Sequence, residues 1–444
     1  MPSDADAVAE FVEAACVPLD ESHASGTLER AESILAQHPE IAGASIHSAA
    51  ILGDEAGVRR FLVEDPGNAT ARGGPRGWDA LTHLCFSRYL RLDRTRSDGF
   101  VRAARALLDA GASANTGFEC DGEPETVLYG AAGVAHDEAL TRLLLERGAD
   151  PNDGETVYHA PETHDNAALR ALVESGRLDD ASLTVMLIRK HDWHDQAGVQ
   201  WLLEHGADPN RVSRWGQAAV HHAVMRDNAL PIFELLLDHG ADPRVQWKGR
   251  TAAAMAARAG RGDVLDLLER RGVAVDLRGV DRLIAACARA EAGLVRSIAE
   301  GEPELADGIV ADGGELLAEF AGVGNTGGVR LLLDLGVPVD AAWEAGDGYF
   351  DVAKRSTALH VAAWRAWHGT VRLLIERGAT FDATDGKGRT PLALAVRACV
   401  DSYWTARRSP ESVEALLAAG ASVRGVAFPC GYAEVDELLS RGAP

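Results

Sequence analysis

The sequence predicts an all-α solenoid of repeated helix pairs with short β-hairpin-like fingers. Three observations carry this expectation. A leucine-rich block ending in glycine recurs, as "LLDAGASAN" (107–115), "LLLERGADPN" (143–152), "LLEHGADPN" (202–210) and "LLLDHGADPR" (235–244), with weaker copies at 267–276, 331–340, 373–382 and 416–424. Degenerate copies ending at Gly176 and Gly301 fill the gaps, so most spacings fall near a period of about 33 residues. Each glycine follows an apolar stripe, where a helix end needs the left-handed backbone that glycine adopts without steric penalty.

The stretch "STALHVAAWRAWHGTVRLLIERGATF" (356–381) shows one whole unit. Thr357 opens a first helix, and Ala362 and Ala363 keep it slim so that neighbouring units approach closely. Val371, Leu373 and Leu374 line a second helix and supply the apolar area.

Read along the chain, "ALTHL" (80–84), "TVLYGAA" (126–132), "AVHHA" (219–223), "TALHVAA" (357–363) and "GRTPLALA" (388–395) resemble the opening of the ankyrin repeat. Together with the glycine blocks they make the chain similar to the ankyrin repeat family. The resemblance implies one ankyrin-repeat solenoid over 27–442, of about eleven or twelve units, some degenerate. Residues 1–26 are then an N-terminal extension or cap, and 443–444 a C-terminal tail. It also implies that fingers and first helices line a concave binding face.

The chain of 444 residues carries a formal charge of -23. That acidity opposes nucleic acid and anionic membrane and favours basic partners. No apolar run reaches membrane-spanning length. The six cysteines are dispersed without a CxxC pair, and the acidic N-terminus has no positively charged signal region, so the expected compartment is the cytoplasm. Abundant alanine, glycine and arginine, with Lys190, Lys248, Lys354 and Lys387 the only lysines, suggest a bacterial source.

Four segments depart from the period: 85–101, the long finger 112–125, the longer finger 338–356, and 396–412. Insertions in a solenoid often mark its working surface. Arg88 and Arg91 belong to a basic island in the first of them. Trp78, Trp215 and Trp247 fall at finger tips, Trp343, Tyr349 and Phe350 in the longest finger, and Trp364 and Trp367 along or after a first helix. These are the candidate binding residues, because aromatic anchors often dominate interfaces. Packing between adjacent fingers is the competing expectation for each tryptophan.

His47, His221 and His360, with His159 beside them, fall where the family resemblance implies a structural histidine. The stretch "RKHDWHDQAGVQW" (189–201) is denser. Asp195 there matches Asp137, Asp165, Asp227 and Asp263, each just before a second helix, where a short acceptor would cap free backbone N–H groups. Candidate catalytic groups are His159, His194 and Asp195, and candidate metal ligands are Glu162, His164, His191 and His194. No HExxH, GxSxG or phosphate-binding loop is present. The expected function is therefore a monomeric protein-interaction scaffold, without cofactor, binding a protein or peptide of basic character. The alternative is an enzyme, or a small-ligand or metal-binding protein, with a His/Asp/Trp pocket between repeats.

Overall fold

The computed structural model describes residues 4–311 and 313–442. The expected tail 443–444 lies outside the described residues. The chain divides into two compact units. The first runs to His222 and includes Leu235–Ala241; the second comprises Ala223–Glu234 and everything from Asp242 onward.

Both units are stacks of antiparallel helix pairs, as expected. In the first unit the pairs include Ala80–Cys85 with Ser97–Asp109 and Asp180–Asp192 with Gln196–Glu204. In the second they include Ala252–Arg258 with Gly262–Arg270, Gly313–Gly322 with Thr326–Asp334, and Ala358–Trp364 with His368–Glu376. Among the described residues, three two-stranded antiparallel fingers project between pairs: Gly117–Cys120 with Glu123–Thr126, Gln246–Trp247 with Arg250–Thr251, and Ala342–Trp343 with Ser356–Thr357.

The leucines of the repeated block are buried between helices, Leu143, Leu144, Leu202, Leu332 and Leu374 among them. Gly206, with φ +100°, ends its helix in the left-handed region, and no neighbour lies near its missing Cβ. Backbone conformation, not space, requires glycine there. At several blocks the closing asparagine or aspartate links one repeat to the next. Asn115 Nδ2 donates to the Gly148 carbonyl at 3.1 Å, and its Oδ1 accepts from Asp150 N at 2.8 Å. Asn152 repeats this with Arg177 O (3.0 Å) and Asp179 N (2.8 Å). In the second unit Asp340 and Asp382 accept from Thr380 N and Ser422 N at 2.8 and 2.9 Å.

Helix capping follows the expected rule at Asp137 and Asp195, which accept from Leu140 N and Gly198 N at 2.9 and 3.0 Å. Asp165, one residue ahead of Asn166, also serves its helix, accepting from Ala167 N at 3.1 Å. The rule fails at two positions. Asp227 and Asp263 instead hold the buried Arg261, at 2.7 and 2.8 Å. The guanidinium offers more donors than a helix start and captures both carboxylates.

Asp195 has a second task. Its Oδ2 accepts from Lys190 Nζ and Asn166 Nδ2, both at 2.8 Å, and Lys190 has no exposed surface. Removing one member of a buried ion pair strands the other, at about 3–5 kcal/mol. Asp195→Ala should cost stability of that order in urea denaturation. Lys190→Met/Asp195→Ala should recover a large part of it, because no charge is then stranded.

Candidate functional site

The second unit encloses a cavity of about 820 Å³. Helix Gly313–Gly322 and the finger carrying Trp343 form much of its wall. Gly313 and Gly314 allow them to meet: a Cβ on Gly314 would lie 2.2 Å from the Ala342 carbonyl oxygen, and one on Gly313 would lie 2.5 Å from Val337. Met225, Met255, Trp343 and Phe350 supply apolar lining.

Three of the seven charged side chains on the wall are held in ion pairs. Asp227 bridges Arg261 and Arg365, at 2.7 and 2.6 Å. Arg258 pairs with Asp281 at 2.8 Å. Arg365 also lies 4.1 Å from the Phe350 ring centre and 5.0 Å from that of Trp404. Glu315, Glu319 and Glu344 line the cavity with no side-chain ion pair among the described residues, against Arg250 as the one lining cation so placed. Glu319 is the inner one. Burial, reinforced by Asp347, Glu315 and Asp227 and opposed by Arg365, pushes its carboxyl up to about 8. The Trp343 indole N–H also has no acceptor.

The histidine-rich region lies in the first unit and forms a row of polar contacts across successive helices. His159 contacts Glu155 at 3.2 Å and Glu162 at 3.0 Å. Arg189 joins Glu162 to Asp192, and His222 Nε2 meets Asp192 at 2.7 Å. Burial alone would depress the His159 pKa, but its two glutamates outweigh burial and raise it to about 9. A histidine protonated at neutral pH is no general base.

A third cluster was not among the expected sites. His23, Cys120 and Glu125 place one donor atom each within 4.8 Å of one another. His23 precedes helix Glu29–Gln37, while Cys120 and Glu125 lie on the two strands of the 117–126 finger.

Residues 190–278 match the family described as Ankyrin repeats (3 copies), and residues 354–386 match Ankyrin repeat. The chain carries ankyrin repeats. Human "Cyclin-dependent kinase 4 inhibitor B" is 42% identical over 82 residues, 18% of this chain and 58% of that protein. "Serine/threonine-protein kinase 12" of Arabidopsis thaliana is 36% identical over 100 residues, 22% of this chain and 20% of that protein. Human "BCL-6 corepressor-like protein 1" is 33% identical over 134 residues, 30% of this chain and 6% of that protein. The chain thus matches between 6% and 58% of these relatives' lengths. Among solved structures, the human ASB11 ankyrin repeat domain covers 60% of this chain with 98% of its own, at 20% identity and a TM-score of 0.26. The Bcl-3 ankyrin repeat domain covers 60% with 100% of its own, at 23% identity and a TM-score of 0.25. The expectation of a bacterial source is corrected, since the named relatives are from human, Arabidopsis thaliana, cattle, mouse and Caenorhabditis briggsae, all eukaryotic.

In these ankyrin repeats the signature histidine is the third residue of the first helix. His360 occupies it. Its Nδ1 faces Thr357 Oγ1 at 2.8 Å, and its Nε2 reaches the Ala383 carbonyl at 3.0 Å. Two expected positions shift. Ser48, not His47, meets the Ser45 cap, although His47 Nε2 still reaches the Ala71 carbonyl of the following hairpin at 3.2 Å, and Thr156, not His159, meets the Asp153 cap. His159 is thereby released for the ion-pair row.

The other candidates are placed as follows. Trp78, Trp343 and Trp364 are buried in the protein's own packing; Trp78 stacks on Phe118 at 4.3 Å, and Trp364 donates to the Phe350 carbonyl at 2.6 Å. Trp367 is half-buried and donates to the Gly322 carbonyl at 2.6 Å. Trp247 is half-buried, 4.3 Å from Lys248 Nζ. Trp215 and Tyr349 are exposed, at 40% and 36%. Arg88 and Arg91 are turned inward, to the Ala14 carbonyl (2.8 Å) and the Ser25 carbonyl (3.1 Å), where they fasten the N-terminal segment. The expected metal ligands Glu162, His164, His191 and His194 do not converge as a metal-holding group among the described residues. Glu162 is held by His159 and Arg189. His191 is buried, with Nδ1 on the Leu187 carbonyl at 2.7 Å, while His194 is exposed at a turn with φ +50°. Asp195, expected as catalytic, is locked as cap and ion-pair partner.

Glu319 carried one overlooked sign in the sequence. Glu315 and Glu319 repel as an i,i+4 like-charge pair, which a helix surface normally avoids. The elevated Glu319 pKa has a measurable consequence. The folded protein keeps a proton that the unfolded chain releases above the ordinary carboxyl value, 4.5, so stability falls as pH rises from there to about 8. Glu319→Gln removes the loss. Its melting temperature should match wild type near pH 4 and exceed it at pH 8, where the whole rise from 4.5 to about 8 corresponds to at most about 5 kcal/mol of stability.

Proposed function

We propose that this chain acts by recognition rather than by catalysis. The cavity of the second unit would receive an organic cation, an amine or guanidinium. Its source would be a basic side chain of a protein or peptide partner, or the end of a small ligand. One observation carries the reading: Glu319 lines the cavity beside Trp343 and Phe350 without a side-chain partner. An incoming cation would ionise Glu319 and recover the Coulomb energy that its acidic neighbours withhold, while an aromatic wall favours a cation over an anion. The volume suits one drug-sized group or one long side chain with its neighbours. The repeat fold is a recurrent interaction scaffold, which favours the peptide as source. A cytoplasmic setting belongs to the same proposal. Its support is that all six cysteines are unpaired, and that no helix among the described residues is long and apolar enough to cross a membrane.

Calorimetry with agmatine and with an arginine-bearing peptide tests this. Wild type should bind at least one of them, with affinity rising between pH 6 and pH 9 as Glu319 gives up its proton. Glu319→Gln should weaken binding about tenfold or more and flatten the pH profile, one pKa unit being about 1.4 kcal/mol. Binding of agmatine alone would assign a small ligand, and binding of the peptide alone a protein partner. Binding that ignores both pH and the substitution would overturn the site.

A further inference from the structure

We propose that His23, Cys120 and Glu125 form a transition-metal site, most simply for Zn²⁺, which pins the N-terminal segment to the 117–126 finger. The donor set is one imidazole, one thiol and one carboxylate, with atoms already within 4.8 Å of one another. Tetrahedral zinc, at its ordinary bond lengths, separates its ligand atoms by about 3.3–3.8 Å. Closing the cluster therefore needs side-chain shifts of about an ångström, not a new fold. His23 Nδ1 and Glu125 Oε2 stand 4.0 Å apart, near that spacing.

A second observation points to a cation as the ligand. Glu125 Oε2 is buried with no hydrogen-bond partner, although the Glu125 side chain is only 8% exposed. A buried carboxylate oxygen without a donor is costly, and a metal supplies what the surrounding residues do not. Its surroundings are aromatic. The His23 ring lies 6.3 Å from Phe86 and 6.4 Å from Phe118, and Trp78 stacks behind Phe118. Such a wall excludes water and strengthens any charge interaction inside it. Tyr129 Oη meets His23 Nδ1 at 2.9 Å and would have to yield that nitrogen to the metal.

Cys120 is only partly buried, which leaves a route for the ion and its hydrating water. On binding, the thiol proton leaves to solvent and the thiolate bonds to the metal, while a water fills the fourth position. A mixed nitrogen, sulfur and oxygen set selects Zn²⁺ or Co²⁺ over Mg²⁺ or Ca²⁺, which prefer oxygen alone. The three ligands come from two separate segments, so the ion would act as a cross-link.

The test uses the full chain without an affinity tag, stripped with chelator and titrated with CoCl₂ and then ZnCl₂. One equivalent of Co²⁺ should produce a thiolate-to-cobalt charge-transfer band, which Zn²⁺ abolishes by displacement. Thermal melting should rise with either ion. Cys120→Ser should lose the band, and His23→Ala and Glu125→Gln should each weaken Zn²⁺ binding about tenfold or more. Circular dichroism in excess chelator should show all three folded like wild type. Absence of the band in wild type, or a band that survives in Cys120→Ser, would overturn the site. Uptake through exposed histidines such as His164 and His194 gives no thiolate band and counts against it.

Discussion

The stack's register rests on one recurrent contact: an asparagine or aspartate at the end of a glycine block bonded to the backbone of the next repeat, made at Asn115, Asn152, Asn210, Asp340 and Asp382. Asn115 and Asn152 each engage a carbonyl and an N–H of the following block, and Asp340 and Asp382 accept from it. Leucine burial supplies most of the energy but is non-directional and would tolerate a slip along the stack. The amide contact is directional and fixes register. It also answers the turn's own need, since backbone groups leaving a helix must find partners. Register fixed at the turn sets where each finger emerges, and so where its chemistry can act.

Away from that contact, the chain follows local rules until a stronger acceptor or donor intervenes. Asp137 and Asp195 cap helices with one carboxylate oxygen and turn the other to a second donor, Ser97 or Lys190. Asp263 is the second residue of helix Gly262–Arg270, whose cap position Arg261 takes, and Asp227 lies ahead of helix Leu230–Asp238; both pair with Arg261, a buried guanidinium that must be neutralised. Leaving that charge unpaired would cost far more than losing one cap. The same competition explains Asp195, which caps a helix with one oxygen and neutralises Lys190 with the other.

Legibility in the sequence followed this division. Helix pairs, glycine turns and the long fingers were readable because each rests on interactions within one unit or between neighbouring copies of one motif. The tryptophans were not, because an aromatic at a finger tip packs inward or faces water according to the length of the next finger. Trp78 found Phe118 and became core, whereas Trp215 remains exposed. The basic island was misread for a related reason. Arg88 and Arg91 bond to carbonyls of the N-terminal segment, far away in sequence and without any periodic mark. His23, Cys120 and Glu125 share that difficulty, since no local spacing joins His23 to a finger almost three repeats on.

Both candidate sites use a finger that exceeds the repeat. The 112–125 finger carries Cys120 and Glu125, and the 338–356 finger carries Trp343 and Phe350. Lengthening a finger costs little, because loop-closure entropy grows only with the logarithm of length. Shortening or bending a helix would instead break the stack on both sides. Added residues at a finger also meet a rigid base, since the strands at its root pair in fixed register, Gly117 with Thr126 in one case and Ala342 with Thr357 in the other. Polar groups that would be intolerable inside the leucine core can be half-buried there against aromatic rings. Glu125, on its finger, and Glu319, on the helix that faces the other finger, are such groups, each left without a side-chain hydrogen bond beside an aromatic wall. In a fold whose core positions are fixed by repetition, the long finger is the place where an unsatisfied carboxylate can persist, and an unsatisfied carboxylate is what binds a cation.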